Sequence, residues 1–317
     1  MKVYNFGDKE NILNLRNMVI NKPSKGVDAN DSLLNAIFGG FKPQTLTIVS
    51  ANSNGGKTTF LVQQTIKLCF KHHKKILFVS IEQGTEEMYK LFLSCLTHVE
   101  RNHIYSDEST QEDIDTLNLI DSFQDLYFCY MPDISTSTIN SLRSYIKTLG
   151  IEYLIFDYIS SELSIYDDTN KVISGRDDLV LKNLTTILKQ VAVELNIAVI
   201  SATQLNNSPR DKNNKMRDAS WLRGSFAIAD KCDVGMILDG KFNEYEKKLV
   251  ANSNPYFGLG DSNLVIDIYK NRYGPKDIKV FRKINFATFE YVDIAVYDTN
   301  ENNLSNTYRE KMKNDKC

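Results

Sequence analysis

Cysteine is scarce in this 317-residue chain, and none of the five is paired in spacing: Cys69, Cys95, Cys129, Cys232 and Cys317 stand far apart, most in apolar surroundings. That excludes a disulfide framework or a zinc-ligand motif, and leaves buried free thiols in a reducing compartment. The four histidines, the His72-His73 pair included, show no ligand spacing and read as solvated helix-end residues. A charge excess is also missing, since the formal net charge is −2. Any binding to a polyanion must therefore come from a local basic patch. No apolar run approaches the ~20 residues that a membrane helix needs. Met1 to Asp8 has no apolar core of a signal peptide, so a cytoplasmic protein with no membrane partner is expected. Internal repeats and low-complexity tracts are absent from the sequence. What remains is 42% hydrophobic and 25% charged, ordinary for a globular chain long enough for one large α/β domain with extensions.

The most informative stretch runs from Leu46 to Phe60. Leu46 to Ser50 reads as a buried strand, Ala51-Asn52-Ser53-Asn54-Gly55-Gly56-Lys57-Thr58 as a turn, and Thr59-Phe60 as the start of a helix. A phosphate-binding loop has this layout: glycines let backbone N–H groups close around an anion, and the helix points its positive end at the same spot. Lys57 would reach the β- and γ-phosphates, and the Thr58 hydroxyl would hold Mg²⁺. The pattern departs at its first position, where Ala51 stands in place of glycine. The alternative is a chance Gly-Gly-Lys-Thr at a strand–helix joint, but the flanking strand and the apolar helix positions Phe60, Leu61, Ile66 and Leu68 weigh against it.

Around this loop the chain alternates strands and helices. An amphipathic helix over residues 8–20 is followed by a polar linker, and a short helix from Asp31 ends at Gly39-Gly40. Ile76 to Ser80 is an apolar run of the buried parallel-strand type, Tyr153 to Asp157 a further apolar strand, and Leu126 to Met131, Ile197 to Ala202 and Val234 to Leu238 are strands as well. Helices are expected over Thr85–His98 (Thr85 as N-cap), Ser135–Leu149, Arg176–Leu195 and Trp221–Ala229. Asn102 to Phe123 is acidic and helical in its later part. Asp239 to Ser262 reads as a surface excursion, followed by the partly antiparallel strands Leu264–Tyr269, Ile278–Ile284 and Phe289–Ile294. The expected fold class is α/β, a doubly wound, mostly parallel sheet with antiparallel C-terminal strands. Residues 1–25 form an N-terminal segment that either decorates the domain or docks on a neighbouring subunit, 26–296 the nucleotide-binding domain, and 297–317 a frayed tail.

The candidate chemistry lies at strand ends. Asp157 closes an apolar strand at the position of a metal-shell acid, and its bland reading is a turn aspartate. Glu82 ends the strand after the loop helix, where a carboxylate can take a proton from an attacking water; alone it would be an exposed helix-start residue. Gln204 ends another strand, placed to sense the γ-phosphate. Arg210, Lys212, Lys215, Arg217 and Arg223 crowd the segment from Ser208 to Arg223, which suits backbone phosphate contact; the competing reading is a solvated loop. By contrast, the loop after Asp157 is acidic, with Glu162, Asp167, Asp168, Asp177 and Asp178. Lys270 and Arg272 sit two apart on an extended segment that turns at Gly274-Pro275, so both point one way.

Taken together, Ala51 to Thr59, Ser80-Ile81-Glu82, Ile155 to Tyr158, Ser201 to Asn206, Leu222 to Ser225 and Lys270 to Pro275 fall in the order seen in DnaB-type replicative helicases. The chain resembles that family from about Gly26 to Ile294. The resemblance implies a RecA-like P-loop ATPase core using ATP and Mg²⁺, assembled as a homo-hexameric ring that moves 5′→3′ on single-stranded DNA. It implies Lys57, Thr58 and Asp157 as nucleotide and metal residues, Glu82 as catalytic base, Gln204 as sensor, and Arg272 with Lys270 as a finger reaching the neighbour's nucleotide. Arg223 falls in the segment that contacts DNA in relatives, and Gly224, where bacterial enzymes have Glu, is closer to phage and mitochondrial helicases. Primase, polymerase or loader are further implied partners, although the helical collar and primase domain that carry such contacts in the family are not expected from this sequence. A viral origin fits the compactness. Two other readings compete: a RecA-like recombinase or filament ATPase, and a non-translocating ATP-dependent scaffold of the circadian-clock type.

Overall fold

A computed structural model describes Leu13 and residues 32–120, 123, 125–160, 165–166, 177–206, 215–223, 226–252 and 259–304. Its centre is a ten-stranded sheet in the order β12-β11-β10-β9-β8-β1-β7-β5-β2-β3. Six of these strands are mutually parallel: β1 (Leu46–Ala51), β2 (Ile76–Ser80), β3 (Leu126–Tyr130), β5 (Tyr153–Ile159), β7 (Ala198–Gln204) and β8 (Val234–Asp239). From β8 outward the pairing turns antiparallel through β9 (Leu264–Asn271), β10 (Ile278–Ile284), β11 (Tyr291–Asp298) and β12 (Asn303–Leu304). A two-residue pair, β4 (Ile134–Ser135) with β6 (Ile165–Tyr166), stands apart and has no sequence signal of its own.

The inner parallel strands are mostly apolar and buried because both faces are covered, whereas the edge strand β3 is only half-buried. Val49, Phe78, Ile155, Ile200 and Met236 pack against helices α1 (Ser32–Phe38), α2 (Lys57–Ile66) and α3 (Thr85–Thr97). Their neighbours Ile48, Leu77, Leu154, Val199 and Ile237 meet α5 (Thr136–Leu149), α6 (Asp177–Leu195) and α7 (Phe226–Lys231) on the other face. The remaining helices are α4 (Gln111–Leu117) and α8 (Glu244–Asn252). The strand period of two thus feeds two separate cores.

Helix ends follow local chemistry. Ser135 and Thr138 form a reciprocal capping box at the start of α5, and Gly150 ends it in the left-handed region at φ 67°. Three expectations shift. Gly84, not Thr85, is the residue before α3. Trp221–Ala229 is not one helix but a short 3₁₀ turn, Ala219–Trp221, and then α7. The excursion expected over Asp239–Ser262 holds α8, whose Glu246 is fully buried, so a polar composition there concealed an anchored helix. The expected helix at 8–20, the 1–25 segment and most of the tail lie outside the described residues, as does most of the acidic loop.

Candidate nucleotide site

The loop from Ala51 to Thr59 joins the C-terminal end of β1 to α2, so its backbone curls where the parallel strands end. Gly56 precedes the helix at φ +86°, and a Cβ there would come within 2.9 Å of the Phe286 ring. Only glycine fits both constraints. Lys57 is buried and donates to the Asn52 carbonyl at 3.1 Å. Its ammonium also lies 5.4 Å from the centre of the Tyr158 ring. Burial pulls the Lys57 pKa below its ordinary value, and the charges of Asp157 and Glu82 oppose that shift.

Thr58 donates its hydroxyl to Asp157 Oδ2 at 2.8 Å, which brings two residues 99 positions apart to one point. The second oxygen of Asp157 is buried with no hydrogen-bond partner. Burial pushes the Asp157 carboxyl up to about 6, against the Thr58 hydrogen bond and the Lys57 charge. Ser80 pairs with Asp157 across β2 and β5, and the Ile81 N–H donates to the Asp157 carbonyl at 3.0 Å. Glu82 is thereby delivered to the same end of the sheet. Its Oε1 accepts from the Tyr158 hydroxyl at 2.8 Å, and that hydroxyl accepts from Gln204 Nε2 at 2.9 Å. A cavity of about 340 Å³ lies over this group, with Arg101 and Phe286 on its walls.

The basic segment divides. Arg210 and Lys212 lie outside the described residues. Lys215 is exposed and reaches Asn302 at 3.0 Å. Arg223 is half-buried, and its N–H donates to the Gln204 carbonyl, while Asn206 N–H donates to Trp221. The far end of the segment is therefore stitched to the strand that carries Gln204. Arg217 corrects the sequence reading. It is 1% exposed and sits in an ion cluster with Asp239 (3.1 Å), Glu246 and Asp267 (2.7 Å). Lys279 joins at 2.8 Å from Glu246 and 2.6 Å from Asp267. Burial alone would lower the Arg217 pKa, but the three carboxylates outweigh it and raise it; in return the two cations hold Glu246 below its ordinary value against its own burial. A guanidinium fixed this way cannot meet a nucleic-acid phosphate.

Lys270 and Arg272 both turn toward one stretch, as the spacing suggested. Lys270 Nζ donates to the carbonyls of Ala229 and Asp230, and Arg272 lies 3.2 Å from Asp233. The turn after them is clamped to α1: Asn271 donates to the carbonyls of Ile37 and Pro275, and a Cβ at Gly274 would collide with that Ile37 carbonyl.

Sequence reasoning gave no role to three residues: Tyr158, Phe286 and Asp233. Tyr158 carried a signal, since it follows Asp157 directly. Phe286, 46% exposed in the β10–β11 turn, carried none. Of the cysteines among the described residues, Cys69, Cys95 and Cys232 are buried and Cys129 half-buried, none forms a disulfide, and burial raises the pKa of the first three to about 11, 12 and 11. No group of three or more His, Cys, Asp or Glu among the described residues is arranged to hold a metal ion. No helix among them is long and apolar enough to cross a membrane.

The model of the DnaB-like helicase C-terminal domain matches residues 26–291. The chain belongs to that family. An SPbeta prophage-derived protein of Bacillus subtilis, YorI, is 28% identical over 297 residues, 86% of this chain and 58% of that protein. The replicative DNA helicase DnaB of Buchnera aphidicola is 27% identical over 271 residues, covering 81% and 54%. This chain thus spans somewhat over half the length of these relatives. Among solved structures, the ATPase domain of G40P superposes with a TM-score of 0.72 at 19% identity, covering 91% of this chain and 99% of that one. A DnaB-like replicative helicase studied for its interactions with primase gives 0.71 at 19% identity, covering 90% and 68%. These likenesses make the fold RecA-like, as the sequence suggested.

Proposed function

We propose that this chain is an ATP-hydrolysing DNA helicase motor that moves on single-stranded DNA, 5′→3′ as in the family it resembles. The observation that carries the proposal is the convergence of Lys57, Thr58, Asp157, Glu82 and Gln204 at the strand C-termini, in a chain of the DnaB-like helicase family. That membership favours a motor over a recombinase or a clock-type scaffold.

The residues fit ATP with Mg²⁺. Loop N–H groups and Lys57 receive the phosphates, and Thr58 with the unpartnered Asp157 oxygen supplies a hard oxygen site for the cation. Held by Thr58 and Asp157, Mg²⁺ would supply positive charge against the charge that builds on the phosphates. Glu82 orients the attacking water and accepts its proton. Gln204 keeps one N–H for the γ-phosphate while its backbone carbonyl holds Arg223, so nucleotide state reaches the segment that meets DNA. Lys215 and Arg223, with Arg210 and Lys212, would form the backbone-contacting set. Phe286 offers a flat apolar face beside the phosphate loop for the nucleotide's base. Arg272 would complete the site of an adjoining subunit in a ring, and a primase, polymerase or loader would be the partners that the family resemblance implies.

The test is ATP turnover with and without single-stranded DNA. DNA-stimulated hydrolysis supports the motor, and hydrolysis indifferent to DNA at every length would point to the scaffold reading.

A further inference from the structure

The Tyr158 hydroxyl links the two groups that must act together, Glu82 and Gln204. It donates to Glu82 Oε1 at 2.8 Å and accepts from Gln204 Nε2 at 2.9 Å. The side chain is 5% exposed, and its ring backs onto the Lys57 ammonium at 5.4 Å. Its backbone position is fixed by β5, immediately after Asp157. All four groups come from different strands or loops: Glu82 follows β2, Tyr158 lies in β5, Gln204 ends β7, and Lys57 follows β1.

We propose that Tyr158 is a positioning residue that fixes the Glu82 carboxylate relative to Gln204, and so sets the attacking water against the γ-phosphate. This rests on the roles given above to Glu82 and Gln204. The chain of donors runs one way: amide N–H to phenol oxygen, phenol O–H to carboxylate. Each donor polarises the next, so the bonds reinforce one another. The amide keeps a second N–H for phosphate, and Glu82 keeps Oε2 for water. Glu82 is exposed and stands on a short turn after its strand, with no ion pair among the described residues. Without the phenol its rotamer has little to hold it, and small misplacements of a catalytic group carry large rate penalties. A tyrosine also suits the geometry better than a shorter hydroxyl, because it spans from the strand to two groups on opposite sides.

The experiment measures kcat and KM for MgATP, with single-stranded DNA present, in the wild type, Tyr158→Phe, Gln204→Ala, the double variant and Glu82→Gln. Tyr158→Phe keeps the ring and its packing on Lys57, and thermal melting checks that the fold is retained. The expected result is a kcat loss of about 10-fold to 10²-fold with KM and melting temperature unchanged. In the Gln204→Ala background the same change should cost clearly less, because the phenol still holds Glu82 there but no longer ties it to the amide. Equal losses in both backgrounds, an unchanged kcat, or a loss that tracks a lowered melting temperature would each overturn the relay. Glu82→Gln separates the two layers. If it is inactive while Tyr158→Phe is normal, only the relay fails. If it turns over at the wild-type rate, the assignment of the base fails, and the relay with it.

Discussion

Arg272 and Asp233 meet at 3.2 Å at the end of the sheet opposite the phosphate loop. Asp233 also accepts from the Leu46 N–H at 2.8 Å and from Lys189 at 2.6 Å, so it marks the start of β1, whereas the loop follows Ala51 at its end. Five strand steps separate the two ends, roughly 17 Å at 3.3 Å per residue. Arg272 is thus remote from its own chain's phosphate loop, the placement that a group acting on a neighbour would require.

Arg272→Ala should therefore bind ATP yet hydrolyse it poorly, by a factor on the order of 10³ or more if it behaves as other arginine fingers do. Mixing it with Lys57→Ala subunits should restore part of the turnover, because some interfaces then pair an intact loop with an intact finger. Turnover is measured after co-assembly is verified by sedimentation. Absence of rescue in verified mixed assemblies would place the arginine's effect within its own subunit.

Arg217→Met should destabilise the protein by about 3 to 5 kcal/mol, since it strands three buried carboxylates against Lys279 alone. Urea unfolding measures it. Reversing charge at Lys215 and Arg223 should instead leave stability nearly unchanged, weaken single-stranded DNA binding, and flatten its salt dependence by roughly one unit per lost phosphate contact. A stable Arg217→Met with weakened DNA binding would restore the sequence reading of that arginine.

That contrast shows where a sequence can be read and where it cannot. The loop, Asp157, Glu82 and Gln204 were legible because each sits next to a periodic apolar run, and strand C-termini in a doubly wound sheet converge. Arg217 was not, because its partners Asp239 and Asp267 lie 22 and 50 positions further on, and counting charges in a window cannot see them. Helix α8 was hidden because it is only nine residues long and mostly polar: its apolar face is just Tyr245, Leu249 and Val250, and its fully buried anchor is Glu246. Phe286 reaches the site only because the β10–β11 turn docks on α2 and α3 through the carbonyls of Ala287, Thr288 and Phe289.

The Asp157 carboxyl gives a pH signature. Its pKa rises from an ordinary 3.8 to about 6 in the folded, nucleotide-free protein. The folded state thus binds more protons than the unfolded state between those values, so stability falls as pH rises from about 4 to about 6 and is flat above. The fall attributable to this group is on the order of 3 kcal/mol. Asp157→Asn should lack it, gaining on the wild type across that window in thermal unfolding while losing MgATP affinity. A parallel pH profile in the variant would contradict the burial of a strained charge there.

Strand separation tests the central claim most directly. A duplex with a 5′ single-stranded tail, MgATP and the assembled protein should yield separated strands, whereas Lys57→Ala, folded by circular dichroism, should yield none. Unwinding that survives the loss of Lys57, or a wild type that hydrolyses ATP on DNA yet never separates the duplex, would contradict it.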